Sequence, residues 1–205
     1  MDWPAWRPTY EAILADFGFD RAADEAARDE LDALLADRLR WDPPALRGEA
    51  VILGGAWDGR AVPDGPLLVA DPRAPPPRQP TAVVTDLDGD ISLQVALNAV
   101  GVPLVVHAHG DNRAALARHV PRLPGPVMGT TQAEPRGRVR GFGGFSDGDR
   151  AACLAVALGA TSLTLVGFDW THPAQKPARD AATKARKLAW ARRVVEGLGV
   201  PLRYA

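Results

Sequence analysis

The sequence predicts an α/β fold: a mostly parallel, Rossmann-like sheet with flanking helices, preceded by a small helical N-terminal subdomain. Three observations carry this. From Ala50 onward, short apolar runs of strand length alternate with stretches of helical period, the grammar of right-handed βαβ crossovers. Before that point the apolar residues follow only the helical period. Three acidic, glycine-containing segments, Val83–Asp90, Val105–Asn112 and Gly141–Arg150, each precede a helical stretch, the first two directly after β-branched runs. In an open α/β sheet such junctions gather along the carboxyl edge, where ligands bind.

The N-terminal part divides into two helices. Tyr10, Ile13, Leu14 and Phe17 form one apolar stripe at i, i+3, i+4 and i+7. Gly18 interrupts it, and Asp20 is placed to cap a second helix whose Leu31, Leu34, Leu35 and Leu39 share a face. Pro43-Pro44 is expected to end that helix. The predicted organisation is therefore a helical subdomain over residues 1–45 and an α/β domain over 46–205.

Strands are predicted at Ala50–Leu53, Pro66–Ala70, Thr81–Thr85, Pro103–His107, Pro126–Met128, Thr161–Val166 and Pro201–Tyr204. Helical patterns cover Ile91–Val100, Asn112–Val120, Asp147–Leu158 and Asp180–Leu198. The proline-rich stretch Pro72–Pro80 cannot be helical, so that connection is a loop. No fixed-period repeat or extended disordered stretch is present.

Composition narrows the function classes. The chain has 205 residues and a formal net charge of −1, with 46% apolar and 24% charged residues. That is an ordinary globular balance, and it lacks the basic surplus of a nucleic-acid footprint. Cys153 is the sole cysteine and lies in an apolar run, so it reads as a buried thiol in a reducing compartment. With no apolar run of signal-peptide or membrane-spanning character, a cytoplasmic protein without membrane contact is expected.

The acidic segments carry the chemistry. In Thr85–Asp90 (TDLDGD), Asp86 and Asp88 project to one face if the strand runs through them. Two carboxylates roughly 6.6 Å apart at an effective dielectric near 20 repel by about 2.5 kcal/mol. A Mg²⁺ ion converts that repulsion into coordination and shares hard oxygen ligands with phosphates. Helix capping alone would need a single acid. In His107–Asn112 (HAHGDN), the i, i+2 histidines and Asp111 admit a zinc reading; loop-fixing imidazole hydrogen bonds, with Asp111 on the acidic edge, are the other. His119 and His172 read as surface residues.

Val127–Gln132 ends in Thr130, Thr131 and Gln132, neutral groups suited to a polar heterocycle or ribose, or simply a strand-end turn. Gly141–Arg150 joins a glycine loop to a helix start that Ser146 or Asp147 can cap. Asp147 and Asp149 occupy its first turn, which the helix dipole favours even without function. Lys184 and Lys187 share a helical face near Arg186, Arg192 and Arg193. They form a solvated basic face or a counter-charge for a transferred phosphoryl group.

At these residues the chain resembles the archaeal-type 6-hydroxymethyl-7,8-dihydropterin pyrophosphokinases, which share the thiamine-pyrophosphokinase-like fold. The resemblance spans most of the chain. It rests on Trp6 and Tyr10 (W-x₃-Y), Asp16–Asp20 (DFGFD), the three acidic segments in order, GTTQ, Leu165–Asp169 (LVGFD) and Lys184–Leu188 (K-x-x-K-L). It implies transfer of a diphosphoryl group from ATP to the hydroxymethyl oxygen of a reduced pterin, with AMP leaving and Mg²⁺ as cofactor. By this resemblance Asp86, Asp88, Lys184 and Lys187 are the catalytic candidates. Asp86, Asp88 and Asp111 are the metal candidates. Asp71, His109, Asp111, Asn112, Thr131, Gln132, Asp147 and Asp149 are candidates for contacts to nucleotide or pterin. ATP and the reduced pterin are the expected partners, and a homodimer is compatible.

Two departures stand out. Where the family carries a G-x-G-P-S-L loop and an ADGA segment, this chain has Gly54–Arg60 (GGAWDGR) and Ala70–Ala74 (ADPRA), with little room for intervening helices. Two rival readings follow: a haloacid-dehalogenase-like phosphatase with Asp86 as nucleophile, and a pterin- or nucleotide-binding protein that no longer turns over.

Overall fold

A computed structural model describes residues 1–171 and 181–205; His172 and Asp180 lie outside the described residues. The chain opens with α1 (Trp3–Phe17), capped by the Asp2 carboxylate, which accepts from the Ala5 N–H at 3.1 Å. Gly18 ends it in the left-handed conformation, at φ 68°. Asp20 then caps α2 (Arg21–Leu34), accepting from the Ala22 N–H at 2.9 Å.

The expected stripe of α2 needs one correction. The helix stops at Leu34, and Leu39 is 63% exposed. Backbone pairing explains this: the Val127 N–H donates to the Leu39 carbonyl at 2.8 Å, and the Trp41 N–H donates to the Val127 carbonyl at 3.0 Å. The sheet takes up this segment before the double proline is reached.

Among the described residues eight parallel strands follow: β1 (Glu49–Leu53), β2 (Leu67–Ala70), β3 (Ala82–Thr85), β4 (Leu104–Ala108), β5 (Val127–Thr131), β6 (Val139–Arg140), β7 (Ser162–Val166) and β8 (Leu202–Tyr204). Their spatial order is β6-β5-β4-β3-β2-β1-β7-β8. Helices α3 (Ile91–Ala99), α4 (Arg113–His119), α5 (Asp147–Ala157) and α6 (Ala181–Glu196) lie in four of the connections. The β1–β2 and β2–β3 connections are helix-free loops, as the proline content of the second requires. Strand β6 has no counterpart in the sequence reading.

Alternation along the strands sorts side chains onto two faces. Val51, Leu67, Val83 and Leu104 pack on Ala27 and Leu31 of α2 and Leu116 of α4. Ala50, Leu68, Val84 and Leu163 pack on Ala151, Leu154 and Ala155 of α5 and Val195 of α6. A third cluster joins Trp6, Tyr10, Ile13 and Leu14 of α1 to Phe145, Cys153 and Val194. Cys153 is fully buried there, and burial pushes its thiol pKa up, the condition of an unreactive cysteine. The N-terminal helices thus reach both faces, α1 beside α5 and α6, α2 beside α4. Among the described residues no helix is long and apolar enough to cross a membrane.

The order of strands sets the position of the site. From β1 the chain builds outward to β6, then returns to the other side of β1 as β7. The crevice outside the carboxyl ends of β1 and β7 is the topological switch point.

Candidate active site

A cleft of about 530 Å³ opens at that switch point. Gly54 and Gly55 follow β1 into its wall, and Gly167 and Phe168 follow β7. A Cβ on Gly54 would sit 2.6 Å from the Gly167 carbonyl, so the two strand ends approach this closely only through glycine. Phe168 and Trp170, with ring centroids 5.3 Å apart, form one aromatic side. Phe19 and Phe145, 6.3 Å apart, also line the cleft.

The acidic wall comes from the ends of β2 and β3. Strand β3 stops at Thr85, and Leu87 turns the chain at φ 64°. Asp86 and Asp88 therefore occupy a turn, not alternate positions of a strand, which corrects the sequence expectation. The Thr85 hydroxyl accepts from the Leu87 N–H at 2.9 Å, and the Asp86 carboxylate accepts from the Asp88 N–H at 3.2 Å. Both acids nevertheless line the cleft, with Asp71 beside them. Asp71 sits at φ 40° and accepts from the Gln94 amide at 3.0 Å. Asp90 does what a single acid at a helix start does: it caps α3 through the Leu93 N–H at 3.0 Å.

The end of β4 holds this wall in place. His109 Nε2 lies 3.4 Å from Asp86 Oδ2, while its Nδ1 accepts from the Asp111 N–H at 3.3 Å. Asp111 is exposed and lines the cleft. Asn112 lies beneath it: its amide donates to the Asp86 carbonyl at 2.8 Å and the His107 carbonyl at 2.7 Å. Asn112 thus fastens β3 to β4. His107 is buried against Thr130, at 3.1 Å. Burial, with Arg150 and His109 nearby, holds its pKa well below the usual histidine range. Among the described residues no group of three or more His, Cys, Asp or Glu side chains could by itself hold a metal ion.

Helix α5 adds one cation, Arg150, and a further acid, Asp147, to the cleft. Ser146 and Asp149 form a capping box, and Asp149 also accepts from the Phe145 and Ser146 N–H groups, each at 2.6 Å. Asp149 is fully buried and lies behind the cleft, a correction to its expected ligand-facing position. Asp147 is on the wall, with Arg150 3.2 Å away. Burial raises the Asp147 pKa well above the usual carboxylate range; Asp86 adds to the rise and Arg150 opposes it. Burial also works against ionisation of Asp86, but the His109 hydrogen bond and the Arg150 charge outweigh it and hold that carboxyl low. Their surroundings thus push the two carboxyls in opposite directions, Asp86 down and Asp147 up.

Lys184 and Lys187 of α6 line the same cleft. The Lys187 ammonium lies 5.6 Å from the Phe19 ring and 5.4 Å from the Phe145 ring. From β5, Gln132 reaches the cleft, whereas Thr131 is buried and accepts from the Ala133 N–H at 3.1 Å. The structure thus brings Asp71, Asp86, Asp88, His109, Asp111, Gln132, Asp147, Lys184 and Lys187 to one cleft. Asn112, Thr131 and Asp149 stand behind it as supports.

Two residues of this site escaped the sequence reading. Asp24 is 4% exposed and accepts from the Tyr10 hydroxyl at 2.9 Å, the Gln132 amide at 2.8 Å and the Gly110 N–H at 2.8 Å. Its signal was present: Asp24, Ala27, Arg28 and Leu31 form the buried stripe of α2, so an acid and a base sit among apolar residues. Arg150 donates to the Phe145 carbonyl and to Asp147; as the residue i+3 from Asp147, it was readable as a partner.

Comparison with known proteins follows the same direction. A protein of Methanothermobacter thermautotrophicus named 6-hydroxymethyl-7,8-dihydropterin pyrophosphokinase is 38% identical over 223 aligned residues, covering 97% of this chain and 95% of its own. A protein of the same name from Pyrococcus furiosus is 36% identical, over 97% of this chain and 94% of its own. One from Methanocaldococcus jannaschii is 31% identical over 83% of this chain and 80% of its own. No protein-family model matches the chain.

Proposed function

The chain belongs to the archaeal-type 6-hydroxymethyl-7,8-dihydropterin pyrophosphokinase family, and from that premise we propose how its cleft performs the reaction. The hydroxymethyl oxygen of the reduced pterin attacks the β-phosphorus of ATP. The bond from that phosphorus to the α,β-bridging oxygen breaks, AMP departs, and the hydroxyl proton is released. The product is the pterin diphosphate ester.

One observation carries the assignment: an ionised Asp86 beside Asp88 and Asp71 faces the same cleft as Lys184, Lys187 and Arg150. Anionic and cationic side chains on one crevice match a substrate that is itself a polyphosphate with a counter-ion. The donor set fits Mg²⁺, which binds through one or two carboxylates and completes its shell with phosphate and water. Asp86 and Asp88 are assigned to it, with Asp111 on the same rim. When bound, Mg²⁺ neutralises phosphate charge and favours in-line geometry. His109 keeps Asp86 oriented and ionised. Lys184 and Lys187 meet the phosphate oxygens and stabilise the charge that builds on them during transfer. After burial, the neighbouring Asp86, Asp71 and Asp88 carboxylates add to the upward shift at Asp147, a crowding of negative charge that a cationic ligand offsets.

The two aromatic sides match two flat rings, one from the nucleotide and one from the pterin. Gln132 and Asp147 supply polar contacts between them. The short loops after β1 and β2 leave the cleft its glycines and Asp71, so the trimmed segments do not remove the acidic wall. A cytoplasmic location accords with the lone buried cysteine.

Incubation with Mg²⁺, ATP and 6-hydroxymethyl-7,8-dihydropterin tests the reading. AMP and the pterin diphosphate are expected in equal amounts. Release of inorganic phosphate would support the phosphatase reading, and tight ligand binding without AMP the non-catalytic one. The named activity of the relatives favours the kinase over both.

A further inference from the structure

The segment Asp16–Asp20 joins α1 to α2 on the rim of the cleft, and each of its residues has a task. Gly18 ends α1 and Asp20 caps α2. Phe19 lies under Lys187, as described. Asp16 and Phe17 instead engage the adjoining face of α6. The Arg186 guanidinium donates to the Asp16 carboxylate at 2.9 Å and also to the Asp16 carbonyl. The Trp190 indole N–H donates to the other carboxylate oxygen at 2.8 Å. The Arg186 guanidinium also lies 4.6 Å from the centroid of the Phe17 ring.

Arg186 and Trp190 are i, i+4 neighbours on one face of α6, while Lys184 and Lys187 occupy the face that lines the cleft. We propose that Asp16 is a positioning residue for diphosphoryl transfer: it holds α6, through Arg186 and Trp190, at the rotation that aims Lys184 and Lys187 at the phosphates. The inference rests on the phosphate-binding role given to those lysines above. A lone exposed ion pair would fix little. Here both carboxylate oxygens and the backbone carbonyl accept from two side chains one helical turn apart, and the cation–π contact adds a fourth constraint. Hydrogen bonds from Trp190 and Arg186 hold the Asp16 carboxyl below its usual pKa range, so the acceptor is charged throughout the neutral range.

Asp16→Asn keeps the shape but forces an amide NH₂ towards Arg186 or Trp190, both donors. The expected result is a rise in KM for ATP of about tenfold, with KM for the pterin and the melting midpoint little changed. Trp190→Phe, which removes one donor, is expected to move KM for ATP in the same direction by less. The decisive readout is a double-mutant cycle with Lys187→Gln. If Asp16 acts through the lysines, adding Asp16→Asn to Lys187→Gln costs much less than it does alone. Full multiplication of the two losses, or an unchanged KM for ATP in Asp16→Asn, overturns the proposal. Damage from Lys184→Gln and Lys187→Gln beside an indifferent Asp16→Asn removes the positioning role alone. Undiminished turnover in both lysine variants removes the phosphate-binding role first, and the positioning role with it.

Discussion

Asp86 and His109, which follow adjacent parallel strands, meet at 3.4 Å between Oδ2 and Nε2. Because Nδ1 of the same ring accepts from the Asp111 N–H, Nε2 carries the proton and donates. The contact favours the ionised form of Asp86 and fixes its direction. His109→Ala is therefore expected to lower turnover by roughly 10- to 100-fold, as loss of a partner behind a metal-binding carboxylate does. His109→Gln, which retains an N–H donor, is expected to recover part of the loss. Steady-state rates at saturating ATP decide between them.

Asp24 gathers three donors from α1, β5 and the turn after β4. Replacing it with Ala leaves buried donors without an acceptor, at a cost of about 2–4 kcal/mol. Urea unfolding is expected to show the lower midpoint, and turnover is expected to fall because Gln132 and Gly110 both border the cleft.

How far the site could be read from sequence follows from cases like this one. The junction of strand and helix is written in local composition, so the three acidic segments and their order on the sheet were legible. The direction of a side chain within such a junction is not. Leu87 turns in the left-handed region and swings Asp86 and Asp88 off the strand, yet nothing in TDLDGD marks that residue. Asp149, Asn112 and Thr131 carry the right functional groups but spend them on neighbouring backbone. Asp149 and Asn112 accept from the N–H three residues before them and Thr131 from the N–H two residues after it, a pattern that competes with ligand binding for the same side chain. The part played by the N-terminal helices was hidden because it depends on contacts between distant residues, such as Tyr10 with Asp24 and Asp24 with Gln132. Strand β6 has two residues, too few for any periodicity to register.

His107 must stay neutral in the fold. Its pKa is lowered by burial, so the unfolded chain takes up a proton near pH 6.5 that the native protein refuses. Below that pH the unfolded state binds more protons and native stability falls, with a slope of up to about 1.4 kcal/mol per pH unit. Above it the contribution is flat. Raised carboxyl pKa values at Asp147 and Asp149 act in the opposite sense, so the comparison must be made with a variant. The stability difference between the wild type and His107→Gln is expected to shift in favour of the variant as pH drops from about 6.5 to 5. A difference independent of pH would show that His107 protonates freely.

Gly89 is held to glycine by its neighbour. A Cβ there would fall 1.9 Å from Asp71 Oδ1 and 2.6 Å from its Cγ, an overlap that only movement of the Asp71 carboxylate relieves. Gly89→Ala is expected to cost about 1–3 kcal/mol of stability. Turnover should drop by at least about tenfold, because the displaced Asp71 carboxylate itself lines the cleft. Thermal melting and rate measurements on the same sample separate the two effects.

The account depends on carboxylates and a polyphosphate sharing one divalent ion in the cleft. Binding of a non-hydrolysable ATP analogue by titration calorimetry, with and without Mg²⁺, reports on this directly. The expected result is that Mg²⁺ tightens binding by at least about tenfold in the wild type, and that this gain disappears in Asp86→Asn and Asp88→Asn while both remain folded. An equal Mg²⁺ effect in the wild type and in both variants would place the metal elsewhere and contradict the account.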